Sequence, residues 1–150
     1  MEIREAGCGD LEGLLQLYAQ LHGDPAPGLT ESVKEIWQTM LEDPKHHVVL
    51  GCVEGKIVSS CVITVIPNLT HGQRPYALIE NVITDEAHRG RGYATAVLDY
   101  AQLVAAGENT YKLMLMTGSK RERTLEFYER AGYDRSAKTA FVKKLEEKNL

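Results

Sequence analysis

The spacing of apolar residues predicts two helices near the start of the chain. Ile3-Arg4 indicates a short first strand, and Asp10 is placed to cap the N-terminus of the helix that follows it. Apolar residues recur at helical spacing in two stretches, first at Leu11, Leu14, Leu15, Tyr18 and Leu21, and then, after Thr30, at Val33, Ile36, Trp37, Met40 and Leu41. Because the residue before a proline disfavours helical backbone, the second helix should end before Asp43-Pro44.

Strand-like apolar runs dominate the middle of the chain. Residues 47–53 and 57–66 flank Glu54-Gly55, a dipeptide typical of a β-hairpin turn, and a third run spans residues 76–84. Four elements follow: a helix over 93–106, a buried strand over 112–117, an amphipathic helix over 121–130 that ends with Gly132 at C′, and a final strand over 140–145. This order, with one strand–helix–strand crossover, predicts a single α/β domain over residues 1–150, with a partly antiparallel and partly parallel sheet.

Composition narrows the class of protein further. With 43% hydrophobic and 25% charged residues in 150, the chain has the composition of an ordinary globular domain. No apolar run approaches the roughly 20 residues of a membrane-spanning helix, so we expect no membrane partner. The polar start of the chain also argues against a cleaved signal peptide. Cys8, Cys52 and Cys61 lack paired spacing, which predicts reduced thiols, a cytoplasmic location and no metal site.

Charge is distributed unevenly along the chain. The formal net charge is −4, which argues against a nucleic-acid partner. Residues 1–88 carry 5 basic and 13 acidic side chains, whereas residues 89–150 carry 12 basic and 8 acidic ones. The asymmetry indicates either an ordinary solvated surface or a site that meets a polyanion at one end and a cation at the other.

One segment carries a pattern typical of anion binding. Residues 79–84 form a strand-like run, and Arg89-Gly90-Arg91-Gly92-Tyr93-Ala94-Thr95 then leads into a helix. The first amides of a helix lack intrahelical partners and carry partial positive charge, which favours a phosphate there. No Gly-Lys-Ser/Thr follows, and Thr95 replaces the third glycine of a dinucleotide fingerprint. From these residues alone, an anion site and a plain glycine turn before a core helix remain equally open.

Two motifs now point to a family. Arg89-Gly90-Arg91-Gly92-Tyr93-Ala94 fits the Gln/Arg-x-x-Gly-x-Gly/Ala signature of the GNAT superfamily of N-acetyltransferases, and residues 127–133 resemble its Phe-Tyr-Glu-Lys-x-Gly-Phe segment. The order of elements agrees with the family from Ile3 to about Leu145. The resemblance implies an α/β GNAT fold, with a mixed, mostly antiparallel sheet of the seven-stranded type. That sheet would be splayed between its fourth and fifth strands and carry helices on both faces.

The resemblance also implies acetyl-coenzyme A (acetyl-CoA) as co-substrate. The backbone of Val82, Ile83 and Thr84 would pair with the pantetheine arm like an added strand. The pyrophosphate would be wrapped by Gly90, Arg91, Gly92, Tyr93, Ala94 and Thr95, with Arg89 and Arg91 adding charge. Arg121 stands where the family often has Asn, seven residues before the tyrosine, and an arginine there would contact phosphate or adenine.

Acetyl transfer to an amine requires a group that accepts a proton, because a protonated amine has no free lone pair. The resemblance implies Glu80 as this base, and strand alternation predicts that Glu80 lies on the face opposite Ile79 and Ile83. Tyr128 is the candidate acid for the departing thiolate, and a backbone amide near Asn81 or Val82 is the candidate oxyanion donor. The alternatives are that Glu80 is a structural carboxylate and that Tyr128 packs beside Phe127.

The acceptor is the least specified part of the site. In the family, it is bound by the first two helices, their connecting loop and the loop before the fourth strand, which makes His22, Asp24 and Tyr76 the candidates here. Residues 117–121, together with Ile79-Glu80, are similar to aminoalkylphosphonate and glucosamine-phosphate acetyltransferases. We therefore expect a small primary amine. Alternatives are acetylation of a protein at its N-terminus or at a lysine, and a non-catalytic acyl-CoA-binding module. The family often dimerises, so a homodimer is one open oligomeric state.

Overall fold

The computed structural model describes residues 1–148, which fall into two units that meet in the chain after Leu115. The first unit contains β1 (Glu2–Glu5), α1 (Leu11–His22), α2 (Glu31–Glu42), β2 (His46–Val53), β3 (Lys56–Ile66), β4 (Tyr76–Thr84), α3 (Tyr93–Gly107) and β5 (Leu113–Leu115). The second unit contains α4 (Glu122–Arg130). None of these helices is long and apolar enough to cross a membrane.

The first unit is built on one sheet with the strand order β1-β2-β3-β4-β5. The first four strands pair antiparallel with their neighbours in sequence, and α3 is the crossover that brings β5 parallel to β4. Glu54 (φ 50°) and Gly55 (φ 78°) form the two-residue turn between β2 and β3. Positive φ at both positions matches the twist of a hairpin. The prediction of a mixed, mostly antiparallel sheet is therefore confirmed.

Helices cover both faces of this sheet. One buried cluster joins α1 and α2 to the sheet and includes Leu14, Leu17, Trp37, Val62 and Ile83. On β3, Cys61 precedes Val62 and so points to the other face, where its Sγ lies 3.7 Å from the carbonyl oxygen of Val97 in α3. The predicted apolar stripe of α2 is wrong for Ile36, which is 59% exposed, whereas the next residue, Trp37, is buried against the sheet.

The sheet opens between β4 and β5, as the family resemblance implies. The two strands pair only where residues 77–79 of β4 face Leu113, Met114 and Leu115, which make up the whole of β5. On that side of β4, residues 80–84 pair with no other strand among those described. The strand predicted over 112–117 is thus shorter than expected, and a free backbone edge lies inside the sheet.

A β-bulge interrupts β4 at the start of this opening. Val62 of β3 pairs with Glu80 and Ser60 with Ile83, so Asn81 and Val82 together lie opposite Cys61. Asn81 has a left-handed backbone with φ 53°, a conformation that Asn tolerates better than most residues. The extra residue reverses the alternation of faces. Glu80 is opposite Ile79 as predicted, but it shares a face with Ile83, so that half of the prediction is wrong.

The second unit confirms one predicted feature and corrects another. Gly132 (φ 96°) follows α4 at C′, where its amide donates to the carbonyl of Glu129 and that of Tyr133 donates to the carbonyl of Tyr128. The predicted strand over 140–145 is absent: the described residues after Leu115 contain no strand, so five strands replace the seven implied. Phe141 is 92% exposed and Leu145 86%, and an apolar run without a ladder partner does not form a strand.

The side chains in front of the first two helices behave differently. The second helix begins after Thr30 as predicted, and the Thr30 hydroxyl caps it by accepting from the Val33 amide at 3.3 Å. Asp10 precedes α1 but makes no side-chain cap, so that prediction is wrong. Its carboxylate instead accepts from both terminal nitrogens of Arg4, at 2.7 and 2.8 Å, and from the Gly7 amide at 2.7 Å. These partners occupy the oxygens that would have capped the helix.

The Asp10 carboxylate should make folding stability depend on pH. The hydrogen bonds from Arg4 hold the pKa of Asp10 below its usual 3.8, so its stabilisation is present above that value and is lost as the pH falls through the folded-state pKa. Urea unfolding of Asp10→Asn should therefore show a stability deficit at neutral pH that shrinks as the pH falls below 3.8. Glu12→Gln, at an exposed position of α1, is the control. A deficit that is equally large at both ends of this range would contradict the prediction.

Candidate active site

The open edge of β4 leads directly into the glycine turn. A short 3-10 turn at Glu86–His88 follows the strand, and α3 then begins at Tyr93 with Gly92 as its N-cap. Gly90 and Gly92 have φ of 75° and 79°, a region that favours glycine. A Cβ on either glycine would meet no heavy atom within 4 Å. The turn therefore has room for a group that lies against its backbone.

The start of α3 has the chemistry of an anion site. The amide of Ala96 donates to the carbonyl of Gly92 at 3.0 Å, so the amides of Tyr93, Ala94 and Thr95 precede the first intrahelical bond. The helix dipole adds partial positive charge at these amides. Arg91 is exposed beside them. This combination of amides, dipole and open glycine backbone suits a phosphate.

The residues predicted to pair with the pantetheine arm lie along the open edge, and two of them already make hydrogen bonds. Ser59 Oγ donates to the carbonyl of Ile83 at 3.2 Å and lies 2.8 Å from the Thr84 hydroxyl. Arg89 Nε donates to the carbonyl of Thr84 at 3.2 Å. Val82 lies within the bulge and is half-buried. Arg89 therefore contacts the end of β4, and its predicted role at the phosphates stays a prediction.

Glu80 lies at the mouth of the opening. Its side chain is exposed, and its pairing with Val62 puts it on the face covered by α1 and α2. These are the helices whose connecting loop is predicted to bind the acceptor. The neighbouring bulge at Asn81 distorts the backbone next to the carboxylate, and bulges of this kind often re-aim side chains beside active sites. A base at Glu80 is compatible with this arrangement.

Two buried hydroxyls on the same face went unnoticed in the sequence. Tyr18 Oη and Ser60 Oγ are buried, and neither meets hydrogen-bond geometry with a described group. Burial raises the pKa of Tyr18 to about 12, while the nearby side chains of Ser60 and Asn81 act weakly in the opposite direction. Tyr18 belongs to the apolar stripe of the first helix, and Ser60 lies in the apolar run over residues 57–66. A hydroxyl inside an apolar pattern is therefore the feature of the sequence that indicates these two buried groups.

The predicted acceptor residues lie at two places in the first unit. His22 is the last residue of α1 and Asp24 lies in the loop after it, and both are exposed. Tyr76 begins β4, about 13 Å along the strand from Glu80 at the usual rise per residue. Its ring contacts Tyr111 edge-on at 6.5 Å, and Lys112 Nζ lies 5.5 Å from the ring centre. Tyr76 therefore belongs to an aromatic cluster at the paired end of β4, and its acceptor role stays a prediction.

Tyr128 and Arg121 belong to the second unit. The Tyr128 ring lies edge-on to Phe127, with centroids 5.1 Å apart, and to Tyr133 at 6.3 Å. Arg121 is the N-cap residue of α4, is exposed, and donates its amide to Ser119 Oγ at 3.3 Å. The contact with Phe127 agrees with the packing alternative for Tyr128, and its role as an acid stays a prediction.

A cavity of about 630 Å³ lies elsewhere in the first unit. It is lined by α1, by the turn between β2 and β3, and by Asp85, and neither Glu80 nor the amides of α3 line it. We therefore assign the candidate active site to the open edge of β4 and the start of α3, where the chemistry is, rather than to this cavity.

The bulge gives a direct test of local strain. Asn81→Val should destabilise the fold by about 1–3 kcal/mol, because a β-branched residue is strongly disfavoured at φ 53°. Asn81→Gly removes the same side chain but accepts this backbone, so it should cost much less. Urea unfolding of both variants measures the difference. Equal losses for Val and Gly would show that the side chain of Asn81, and not its backbone, matters for stability.

Comparison with known proteins gives the family. The model of the acetyltransferase (GNAT) family matches residues 11–133. A glucosamine 6-phosphate N-acetyltransferase of Trypanosoma brucei brucei is 32% identical over 79 residues, which are 53% of this chain and 52% of that protein. The match therefore spans about half the length of this curated relative.

Solved structures agree over almost the whole chain. A protein of Agrobacterium tumefaciens str. C58, provisionally named an acetyltransferase, is 40% identical, with a TM-score of 0.91 over 97% of this chain and 100% of that one. The glucosamine-6-phosphate N-acetyltransferase of Arabidopsis thaliana is 20% identical and shares the fold, with a TM-score of 0.85 over 97% and 98% of the two chains. With the family model covering more than half of its length, this chain belongs to the GNAT family of N-acetyltransferases.

Proposed function

We propose that this protein transfers an acetyl group from acetyl-CoA to the primary amine of a small molecule. The observation that carries the proposal is the free edge of β4 at residues 80–84, which runs into two open left-handed glycines and the start of a 15-residue helix. The edge suits an extended pantetheine amide chain, and the helix start suits its pyrophosphate. The residues present therefore fit the coenzyme.

Each part of the proposed binding site has a separate task. The backbone of Val82, Ile83 and Thr84 orients the pantetheine arm, so that its thioester end lies near the bulge. The amides of residues 90–95 hold the pyrophosphate, with charge from Arg89 and Arg91, and Arg121 adds a contact to phosphate or adenine.

The proposed reaction is a direct transfer without a covalent enzyme. The amine nitrogen forms a bond to the thioester carbonyl carbon, and the carbon–sulfur bond breaks. Glu80 accepts the proton that the amine loses, directly or through water, and Tyr128 supplies a proton to the departing thiolate. An amide at Asn81 or Val82 stabilises the charge that develops on the carbonyl oxygen.

Two observations support a small amine as the acceptor. Proteins that this chain resembles are named as acetyltransferases of an amino-sugar phosphate. Residues 1–88, with 13 acidic and 5 basic side chains, suit a cationic substrate. His22, Asp24 and Tyr76 remain the candidates for holding it. Acetylation of a peptide and non-catalytic coenzyme binding are the alternatives that the experiment must separate.

We further infer that residues 1–150 act as one catalytic domain, because the family match runs across both units. Cys8, Cys52 and Cys61 are all free thiols, which supports a reducing compartment such as the cytoplasm. Whether the protein works as a monomer or a homodimer is measured by light scattering after size exclusion.

The experiment starts with binding. Acetyl-CoA at one hundred times its Kd should stabilise the folded protein by about 2.7 kcal/mol, visible as a higher Tm. A library of amino sugars, aminophosphonates, polyamines and peptides with free N-termini is then screened for release of the coenzyme thiol. An unchanged Tm would refute the proposal. A raised Tm without turnover of any amine would favour the non-catalytic module, and turnover of peptides alone would favour a protein acetyltransferase.

A further inference from the structure

A pair of hydrogen bonds joins the last turn of α1 to the turn at residues 85–92, which follows β4. Gln20 Nε2 donates to Asp85 Oδ1 at 2.7 Å, and Gln20 Oε1 accepts from the amide of Glu86 at 2.9 Å. The NH₂ group of Gln20 thus donates to a carboxylate, and its oxygen accepts from the backbone amide of the next residue in the chain. We call these three groups, the Gln20 amide, the Asp85 carboxylate and the Glu86 backbone amide, the Gln20 latch.

Asp85 is held firmly at its end of the latch. It is only 7% exposed, and a buried carboxylate needs partners. His88 Nδ1 donates to its second oxygen, Lys56 Nζ of β3 lies 3.9 Å away, and the Asp85 amide donates to the carbonyl of Val58 at 2.7 Å. The hydrogen bonds from Gln20 and His88 hold the pKa of Asp85 below its usual value. The carboxylate is therefore a fixed anchor for α1.

The latch connects the two ends of the proposed site. Two residues after Gln20, α1 ends at His22 and runs into the loop predicted to bind the acceptor. On the other side, Glu86 lies in the turn that leads to Gly90, Gly92 and the amides of α3. Further along this turn, a Cβ on Gly90 or Gly92 would meet no heavy atom within 4 Å, so the position of the glycines is set by the backbone that precedes them and not by side-chain packing. A shift of the Glu86 amide would therefore move the groups proposed to hold the pyrophosphate.

We propose that Gln20 is a positioning residue that fixes the turn at residues 85–92 in the geometry that binds the coenzyme. It touches neither substrate in this proposal and acts through Asp85 and Glu86. The inference rests on the proposed function, because it assigns a cause to the affinity for acetyl-CoA. It also means that the helix leading to the acceptor loop is linked to the turn leading to α3 through the two hydrogen bonds of Gln20.

The first arm of the test measures acetyl-CoA affinity by calorimetry. Gln20→Ala should raise Kd about two- to tenfold, the factor that corresponds to a net hydrogen bond. Gln16→Ala is the matched control, because Gln16 lies one turn earlier on the same helix and is exposed. Its Kd should equal that of the wild type. Tm values of the free proteins show how much of any effect is a loss of stability.

The second arm exchanges the amide and the carboxylate of the latch between residues 20 and 85. Gln20→Glu alone should weaken binding, because the new carboxylate has no donor for Asp85 and repels it. Adding Asp85→Asn places an amide donor opposite that carboxylate, keeps an oxygen for His88 and restores the net charge of the wild type. The charged groups beside Asp85, Lys56 and His88, are unchanged. The double variant should recover most of the lost affinity.

The outcomes separate the two proposals. If wild-type protein does not bind acetyl-CoA, the proposed function and this inference both fall. If the wild type binds and Gln20→Ala binds equally well, or only its Tm changes, the positioning role alone falls. A double variant that binds no better than Gln20→Glu would also overturn it, because the loss would then come from added charge rather than from a broken latch.

Discussion

Glu80→Gln should lower kcat/KM for acetylation of the amine by about 10²–10⁴-fold at neutral pH, the usual contribution of a general base. Glutamine has the same shape but cannot accept a proton, so the affinity for acetyl-CoA should stay nearly unchanged. The loss should shrink as the pH approaches the pKa of the amine itself, because a larger fraction of the substrate then arrives without its extra proton. Initial rates of thiol release across a pH series measure both effects.

Glu2→Gln is the control for this substitution. Glu2 is an exposed carboxylate on β1, at the other edge of the sheet, so its replacement makes the same change of charge away from the opening. It should leave kcat/KM as it is in the wild type. A Glu80→Gln protein that keeps full activity would leave Glu80 as a structural carboxylate, which is the alternative that the sequence left open.

Gly92→Val should raise the Kd for acetyl-CoA at least about tenfold. A left-handed backbone costs an L-residue about 1–2 kcal/mol, and Gly92 has a φ of 79°. A valine at this position would therefore either strain the turn or shift its backbone away from this conformation. In addition, the space beside Gly92 is open, so the valine side chain would occupy the volume proposed for the phosphate. Calorimetric titration with acetyl-CoA, with the Tm of the free protein measured in parallel, gives both consequences.

Gly107→Ala tests whether this loss is specific to the turn. Gly107 is the last residue of the same helix, is not among the glycines with positive φ, and has space for a Cβ, which would meet no heavy atom within 4 Å. Alanine favours helix over glycine by about 1 kcal/mol, so stability should be equal or higher and Kd unchanged. If Gly92→Val bound acetyl-CoA as tightly as this control does, the pyrophosphate would have to bind elsewhere.

Local patterns were sufficient to predict the central part of the fold. The prediction of β4 over residues 76–84 is confirmed at both ends, and α3 begins at Tyr93 as predicted. A mostly apolar run marks the strand, and Gly92 marks the start of the helix. The turn at Glu54-Gly55 was equally clear, because its backbone conformation depends on those two residues.

Features that depend on distant partners could not be predicted. The side of Glu80 relative to Ile83 depends on how β4 aligns with β3 around one extra residue, which periodicity within β4 does not reveal. Asp10 has a residue type suited to a cap, but Arg4 and Gly7 occupy its carboxylate. Likewise, Gln20 is an ordinary polar residue of a helix until Asp85 and Glu86 are seen beside it.

The short contact between β4 and β5 has a consequence for how the first unit folds. Strands β2, β3 and β4 follow one another as neighbours, so their pairings close short loops and form early, whereas β5 must wait for the α3 crossover. The amide hydrogens of the β4–β5 pairing should exchange with solvent through local opening of the sheet. The free energy of this opening should be well below that of global unfolding. The pairing that assembles last and opens first therefore lies directly beside the edge of β4 that is proposed to receive the coenzyme.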